Sequence, residues 1–285
     1  MEIGDYRLEV VPDTEFWLDG GAMFGVVPRV LWERVSPPDE LNRIRLNMNC
    51  VFIDTGKERI LIETGIGEKW DKKETSMYGI DRRRSFADSL FEITGCHPED
   101  VSIVVNTHFH FDHAGGNTYK SAPEAVATGD FLPQFPNARY LVSKSEFAHA
   151  VAPHERDRAS YLAENWMPLE TSGQLELMAD DYEAVRGLTL QTVRGHSETM
   201  QTWRLETGGK TVYGFADLIP TRHHLLPPWI MGYDLFPTET LAFKKHIIPE
   251  AIKNDWLCLF YHDPEMPLCR LIQDNGKPRA VEVVS

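Results

Sequence analysis

His108-Phe109-His110-Phe111-Asp112-His113 sets four imidazole and carboxylate side chains within six residues. Those nitrogen and oxygen donors are the ones divalent zinc prefers. The stretch directly follows Val101 to Asn106, a β-branched run suited to a short buried strand. Residues two apart in an extended segment point the same way, so His108 and His110 can converge on one ion. Asp112 and His113 fall beyond the strand end, where a turn can aim them at a neighbouring ion. Gly115-Gly116 then permits close backbone packing.

Three further candidates share this context. His196 follows Leu188 to Val193 across Gly195, Asp217 follows Thr211 to Phe215, and His262 follows Trp256 to Tyr261. Each lies at the carboxyl end of an apolar run, where α/β proteins gather their sites. In a chain with 11 histidines a lone His-x-His would carry little weight. The dense cluster with three strand-end partners points instead to a metal site.

Outward from the cluster, Ile44 to Ile53 and Arg59 to Glu63 read as strands joined by a turn at Thr55-Gly56-Lys57. Phe86, Leu90 and Ile93 share one helical face, which predicts a helix over Phe86 to Ile93 stopped by Gly95. Ser143 to about Asn165 reads as helix-rich and broken by Pro153, with His149 and His154 as exposed helix residues. Strands resume at Leu188 to Val193, Thr202 to Glu206, Thr211 to Phe215 and Trp256 to Tyr261. Strands interleaved with helices in both halves predict an α/β protein. With no composition break, residues 1–285 read as a single domain.

The formal net charge of −14 repels phosphate backbones and disfavours nucleic acid as a partner. Arg82-Arg83-Arg84 is expected to be a solvated face. The acidic start carries no apolar stretch, and no window is apolar enough for a membrane span, so a cytoplasmic location is expected. Cys50, Cys96, Cys258 and Cys269 form no Cys-x-x-Cys pair and are expected as free, mostly buried thiols. His97 and His246 have no supporting context and are read as structural or exposed.

His108 to His113, followed by His196, Asp217 and His262, resembles the metallo-β-lactamase superfamily. That resemblance implies a four-layer αβ/βα sandwich with the site at one edge of two sheets. It implies two divalent ions, zinc by preference: His108, His110 and His196 on one, Asp112, His113 and His262 on the other, Asp217 bridging. A hydroxide shared by the ions and oriented by Asp112 would then attack the substrate, with Asp112 or Asp217 moving the proton. Ile62-Glu63-Thr64-Gly65 is similar to the family's Asp-Thr-Gly turn, with Glu63 in the place of the acid that supports a ligand histidine.

Asp19 to Pro28, Tyr161 to Trp166, Asp217 to Pro220 and Trp229 to Asp234 look like YtnP-type quorum-quenching lactonases and the related methyl parathion hydrolases. The resemblance implies a small lactone, ester or phosphotriester as substrate, N-acyl-homoserine lactones among them, and is compatible with a homodimer. Met23 and Phe24, in a Gly-rich N-terminal loop, and His223, Trp229, Met231 and Tyr233, after the bridging Asp, are candidates for the substrate pocket. Surface-loop positions are expected for His223 and His224. Where those lactonases carry a tyrosine, three residues after the bridging Asp, this chain has Pro220. An iron-dependent oxidoreductase on the same fold is the alternative of a different class; it is disfavoured by His110, where that branch carries Glu.

Overall fold

The computed structural model describes residues 1–122 and 130–283. In the first half the strands are β1 (Glu2–Ile3), β2 (Tyr6–Asp19), β3 (Arg43–Asp54), β4 (Arg59–Ile62), β5 (Ile103–Val105), β6 (Thr118–Lys120), β7 (Phe131–Pro133), β8 (Arg139–Ser143) and β9 (Leu175–Met178). The second half adds β10 (Asp181–Val185), β11 (Leu188–Thr192), β12 (Gln201–Thr207), β13 (Lys210–Gly214), β14 (Leu257–Leu259), β15 (Leu268–Asp274) and β16 (Lys277–Glu282). The helices are α1 (Gly20–Phe24), α2 (Arg29–Trp32), α3 (Lys72–Met77), α4 (Phe86–Thr94), α5 (Phe111–Ala114), α6 (Lys144–Val151), α7 (Met167–Ser172) and α8 (Pro237–Lys253).

Two mixed seven-stranded sheets form, ordered β1-β2-β3-β4-β5-β8-β9 and β10-β11-β12-β13-β14-β15-β16; β6 and β7 make a separate ribbon. Helices flank the sheets, as the α/β sandwich expectation requires. Ile60, Leu61 and Val104 of the first sheet and Leu190, Trp203 and Leu259 of the second belong to one buried core. Each such side chain contributes about 1.5–3 kcal/mol through its removal from water.

Cross-sheet hydrogen bonds locate the functional edge. Asn49 of β3 donates its amide N–H to the Tyr261 carbonyl at 2.9 Å, and its side-chain amide reaches the Tyr261 and Asp263 carbonyls at 2.8 Å. Gln201 of β12 donates to the Thr107 carbonyl at 3.0 Å. The segments flanking His108 and His262 are thereby tied to the opposite sheet.

Helix α4 begins and ends as its sequence predicts. The Ser85 hydroxyl accepts from the Asp88 N–H at 3.1 Å, and Gly95 closes the helix with φ of 77°. β4 stops one residue short of Glu63, which takes a left-handed φ of 63°. Only α6 of the expected helical region is regular; after Val151 the chain makes two short 3-10 turns. His149 is accordingly not an exposed helix residue. It is half-buried and hydrogen-bonded to Asp157 at 2.8 Å, whereas His154 is exposed.

Met23 and Phe24 lie in the short helix α1 rather than a loop, because the Asp19 carboxylate caps it by accepting from the Ala22 N–H at 2.7 Å. His224 is fully buried, not a surface histidine: its ring stacks on Phe24 at 4.6 Å and its Nε2 meets the Met23 carbonyl at 2.9 Å. Arg82 also departs from the solvated-face reading, being bonded to the buried Asp13 carboxylate at 2.6 and 3.0 Å. All four cysteines are free and buried. Among the described residues no helix is long and apolar enough to cross a membrane.

Candidate metal centre

The cluster is built by a strand end and a helix start. β5 stops at Val105, His108 and His110 follow in extended backbone, and α5 turns Asp112 and His113 inward. Gly115 and Gly116 make this turn fit: a Cβ on either would stand 2.1 Å from the backbone oxygen of Ile66 or Thr64. His196 and Asp217 arrive after β11 and β13, and His262 after β14. Ala216, just before Asp217, adopts a left-handed φ of 46° that aims the next side chain at the cluster.

The seven candidate ligands fall into two adjoining groups, His108/His110/His196 and Asp112/His113/Asp217/His262, whose donor atoms in each group lie within 4.8 Å of one another. All seven residues are buried. His110 Nδ1 stands 3.0 Å from His196 Nε2, near the separation of about 3.3 Å expected between two nitrogens on one tetrahedral zinc. Asp217 joins the groups: Oδ1 is 3.1 Å from His113 Nε2 and 3.0 Å from His262 Nε2, and Oδ2 is 3.5 Å from His196 Nε2. Asp112 Oδ2 lies 3.6 Å from His262 Nε2.

These donors fit divalent cations. His108 Nε2 is buried with no hydrogen-bond partner among the described residues, a costly state unless a ligand completes it. Burial, then the neighbouring histidines, pushes His108 and His110 well below the ordinary imidazole range, keeping them neutral as metal ligation requires. Burial acts the same way on His113, yet the Asp217 and Asp112 carboxylates outweigh it and hold that ring well above its ordinary value. Asp217 is held well below the usual carboxylate range: burial opposes this, but His113, His262 and His196 prevail.

A second layer orients the rings. The His108 Nδ1 meets the Thr107 hydroxyl at 2.9 Å, and the His262 Nδ1 meets the Asn47 carbonyl at 3.0 Å. Glu63 is completely buried; it accepts from the Thr107 N–H at 3.1 Å and from its hydroxyl, and lies 3.5 Å from His113 Nδ1. Asp234 holds His196 Nδ1 at 3.1 Å and accepts from the Thr240 hydroxyl at 2.7 Å. No sequence signal assigned Asp234 a role, since its partner is 38 residues away. Asp234→Asn should weaken metal binding and turnover about 10–100-fold, read by chelator competition and steady-state rates. Wild-type values for both would refute its orienting role.

The two groups open into a cavity of about 470 Å³. Of the pocket candidates, Met23, Met231 and Tyr233 line it, while Phe24, His223 and Trp229 are absent from its lining. Trp229 packs edge-on against Phe24 at 5.6 Å instead. Leu18, Tyr78 and Arg156 also line the cavity and were not singled out in the sequence. Arg156 reaches across its rim to the Gly232 carbonyl at 2.5 Å, and the Gly232 N–H donates to Ala22 at 2.7 Å.

Residues 43–241 match the model of the metallo-beta-lactamase superfamily. N-acyl homoserine lactonases of Bacillus cereus and Bacillus thuringiensis are each 27% identical, over 175 and 252 residues. These alignments take in 58% and 81% of this chain, and 61% and 87% of those proteins, so the chain spans under two thirds of the first. The crystal structure of a probable metal-dependent hydrolase from Staphylococcus aureus is 30% identical, with TM-score 0.88 over all of both chains. AidC, a dizinc quorum-quenching lactonase, shares the fold at TM-score 0.80 and 18% identity, over 100% of this chain and 97% of its own. The chain belongs to the metallo-beta-lactamase superfamily as a metal-dependent hydrolase, and its buried histidines and carboxylates form groups able to bind metal.

Proposed function

We propose that this hydrolase is dinuclear, with zinc as its metal, and that it opens lactone or ester bonds in small apolar substrates, N-acyl homoserine lactones first among them. The observation that carries this reading is the pair of donor groups joined by Asp217 at the floor of one cavity. The lactonase activity of the Bacillus relatives supports the substrate class. Bound divalent ions would supply Lewis-acid activation of water and of the substrate's carbonyl oxygen.

The protein's own groups do the rest. Asp112 lines the cavity beside His262, where its carboxylate can take a proton from the attacking water and return it to the departing alkoxide. Leu18, Met23, Phe111 and Met231 give apolar walls suited to an acyl chain. Tyr233 supplies the phenol that Pro220 cannot. A tyrosine is protonated at neutral pH in any case and can donate to a carbonyl; burial first, then Asp19 and Asp112, pushes this one further up, to about 12. Pro220 is buried and gives its carbonyl to the His262 N–H at 2.9 Å.

The test is a turnover panel on protein of measured metal content: acyl-homoserine lactones, simple lactones, aryl esters and a phosphotriester. Two zinc equivalents with fastest turnover of the lactones is the expected result. Preference for the phosphotriester would move the assignment to organophosphate hydrolysis, and iron with oxygen consumption would overturn it.

A further inference from the structure

Glu146 is an acid without an evident reason to be where it is. It is the third residue of α6, and its own N–H is satisfied by the Ser143 hydroxyl at 3.1 Å. A glutamate at this position commonly reaches back to the capping residue's backbone. Here the side chain goes inward and is completely buried. One oxygen, Oε1, accepts from the Phe109 N–H at 2.7 Å; the other, Oε2, accepts from the Thr199 hydroxyl at 2.5 Å. Among the described residues it makes no salt bridge, and burying such a carboxylate costs several kcal/mol.

What the two bonds connect gives the cost its meaning. Phe109 stands between His108 and His110. Thr199 closes the loop that carries His196, a loop tightened by the Ser197 hydroxyl, which accepts from the Thr199 and Met200 N–H groups at 3.3 and 2.9 Å. The same carboxylate therefore spans the two chain segments that supply all three histidines of one donor group. The other group, Asp112/His113/Asp217/His262, receives no bond from it. Tyr161 adds to the clamp from the side, its ring edge-on to His110 at 4.8 Å.

We propose that Glu146 is a positioning residue that fixes the spacing of the His108–His110 segment against the His196 loop, and so sets the metal affinity of the three-histidine group selectively. The proposal rests on the dinuclear reading above. Its chemistry requires two acceptors: a carboxylate serves both donors, whereas a glutamine offers one oxygen and an NH₂ that cannot accept. Glutamine also removes the buried charge, so folding stability and metal affinity should move apart.

Wild type, Glu146→Gln and Thr199→Val are compared by stepwise chelator competition with zinc and by thermal melting of the metal-free protein. Wild type should bind two equivalents; fewer would defeat the dinuclear reading itself, independently of Glu146. Glu146→Gln is expected to melt at or above the wild-type temperature, while one equivalent weakens about 10–100-fold and the other keeps its affinity. The loss should fall on kcat more than on KM. Thr199→Val cuts one arm only and should show a smaller loss at the same equivalent. It decides the matter should the glutamine variant fail to fold. Unchanged affinity for both equivalents, or equal weakening of both, would overturn the proposal.

Discussion

On the dinuclear proposal, His110→Ala is expected to abolish hydrolysis and to release one of two metal equivalents, while the chain stays folded. His110 is buried, and its Nδ1 lies 3.0 Å from His196 Nε2. Residues that merely orient ligands cost 10–100-fold when removed, so loss of a ligand itself should cost more than about a hundredfold in turnover. The fold should tolerate the change because the ring's hydrogen bond is to His196 within the donor cluster and forms no part of either sheet's ladder. Elemental analysis and activity on the best substrate of the panel check this. A variant with wild-type metal content and rate would remove His110 from the centre. Chelation of wild type should produce the same loss reversibly, with activity regained on adding zinc.

The second large effect concerns folding. Arg82→Ala should destabilise the protein by about 3–5 kcal/mol, because it leaves a buried carboxylate uncompensated. The Asp13 side chain is 0% exposed and Arg82 only 16%, with both Arg82 terminal nitrogens bonded to it. Asp13 also accepts from the Ile66 N–H at 2.8 Å, and Arg82 donates to the Gly67 carbonyl at 2.9 Å. The pair thus pins the segment after Glu63 to β2, beneath the glycine turn of the metal cluster. A fall in melting temperature on the order of 10 °C is expected. Arg82→Lys, which keeps the charge but not the two-pronged geometry, should lie between. A melting point for Arg82→Ala within two or so degrees of wild type (roughly the effect of 1 kcal/mol) would show that the pair contributes little.

Strand-end placement of His108, His196, Asp217 and His262 was readable from sequence because each follows an apolar run of a buried strand. β2 was not, since Pro12 and Asp13 interrupt its pattern. The structure explains them: the register against β3 shifts between Pro12 and Glu15, and this bulge turns Asp13 inward to Arg82. The β15–β16 hairpin did carry a signal, Asn275-Gly276, whose φ values of 48° and 77° suit a tight hairpin turn. Glu146 and Asp234 had none. The partners that give them a role, Phe109 and Thr199 for Glu146 and His196 for Asp234, lie far along the chain, and nothing local ties either acid to the donor cluster. Arg82 was misread for the same reason: a run of three arginines resembles a solvated face until the fold supplies Asp13.

The cavity wall has a further consequence, for selectivity rather than chemistry. The superfamily match begins at residue 43, yet Leu18, Ala22 and Met23 of the wall precede it. Part of the wall therefore lies outside the matched stretch, while Tyr78, Phe111, Met231 and Tyr233 lie inside it with the metal cluster. On the proposed function, variation at Leu18, Ala22 and Met23 is expected to change which molecule is accepted while His108 to His113 stay untouched. A library for altered selectivity should, on that reading, begin at these three positions, which line the wall and are none of the candidate ligands.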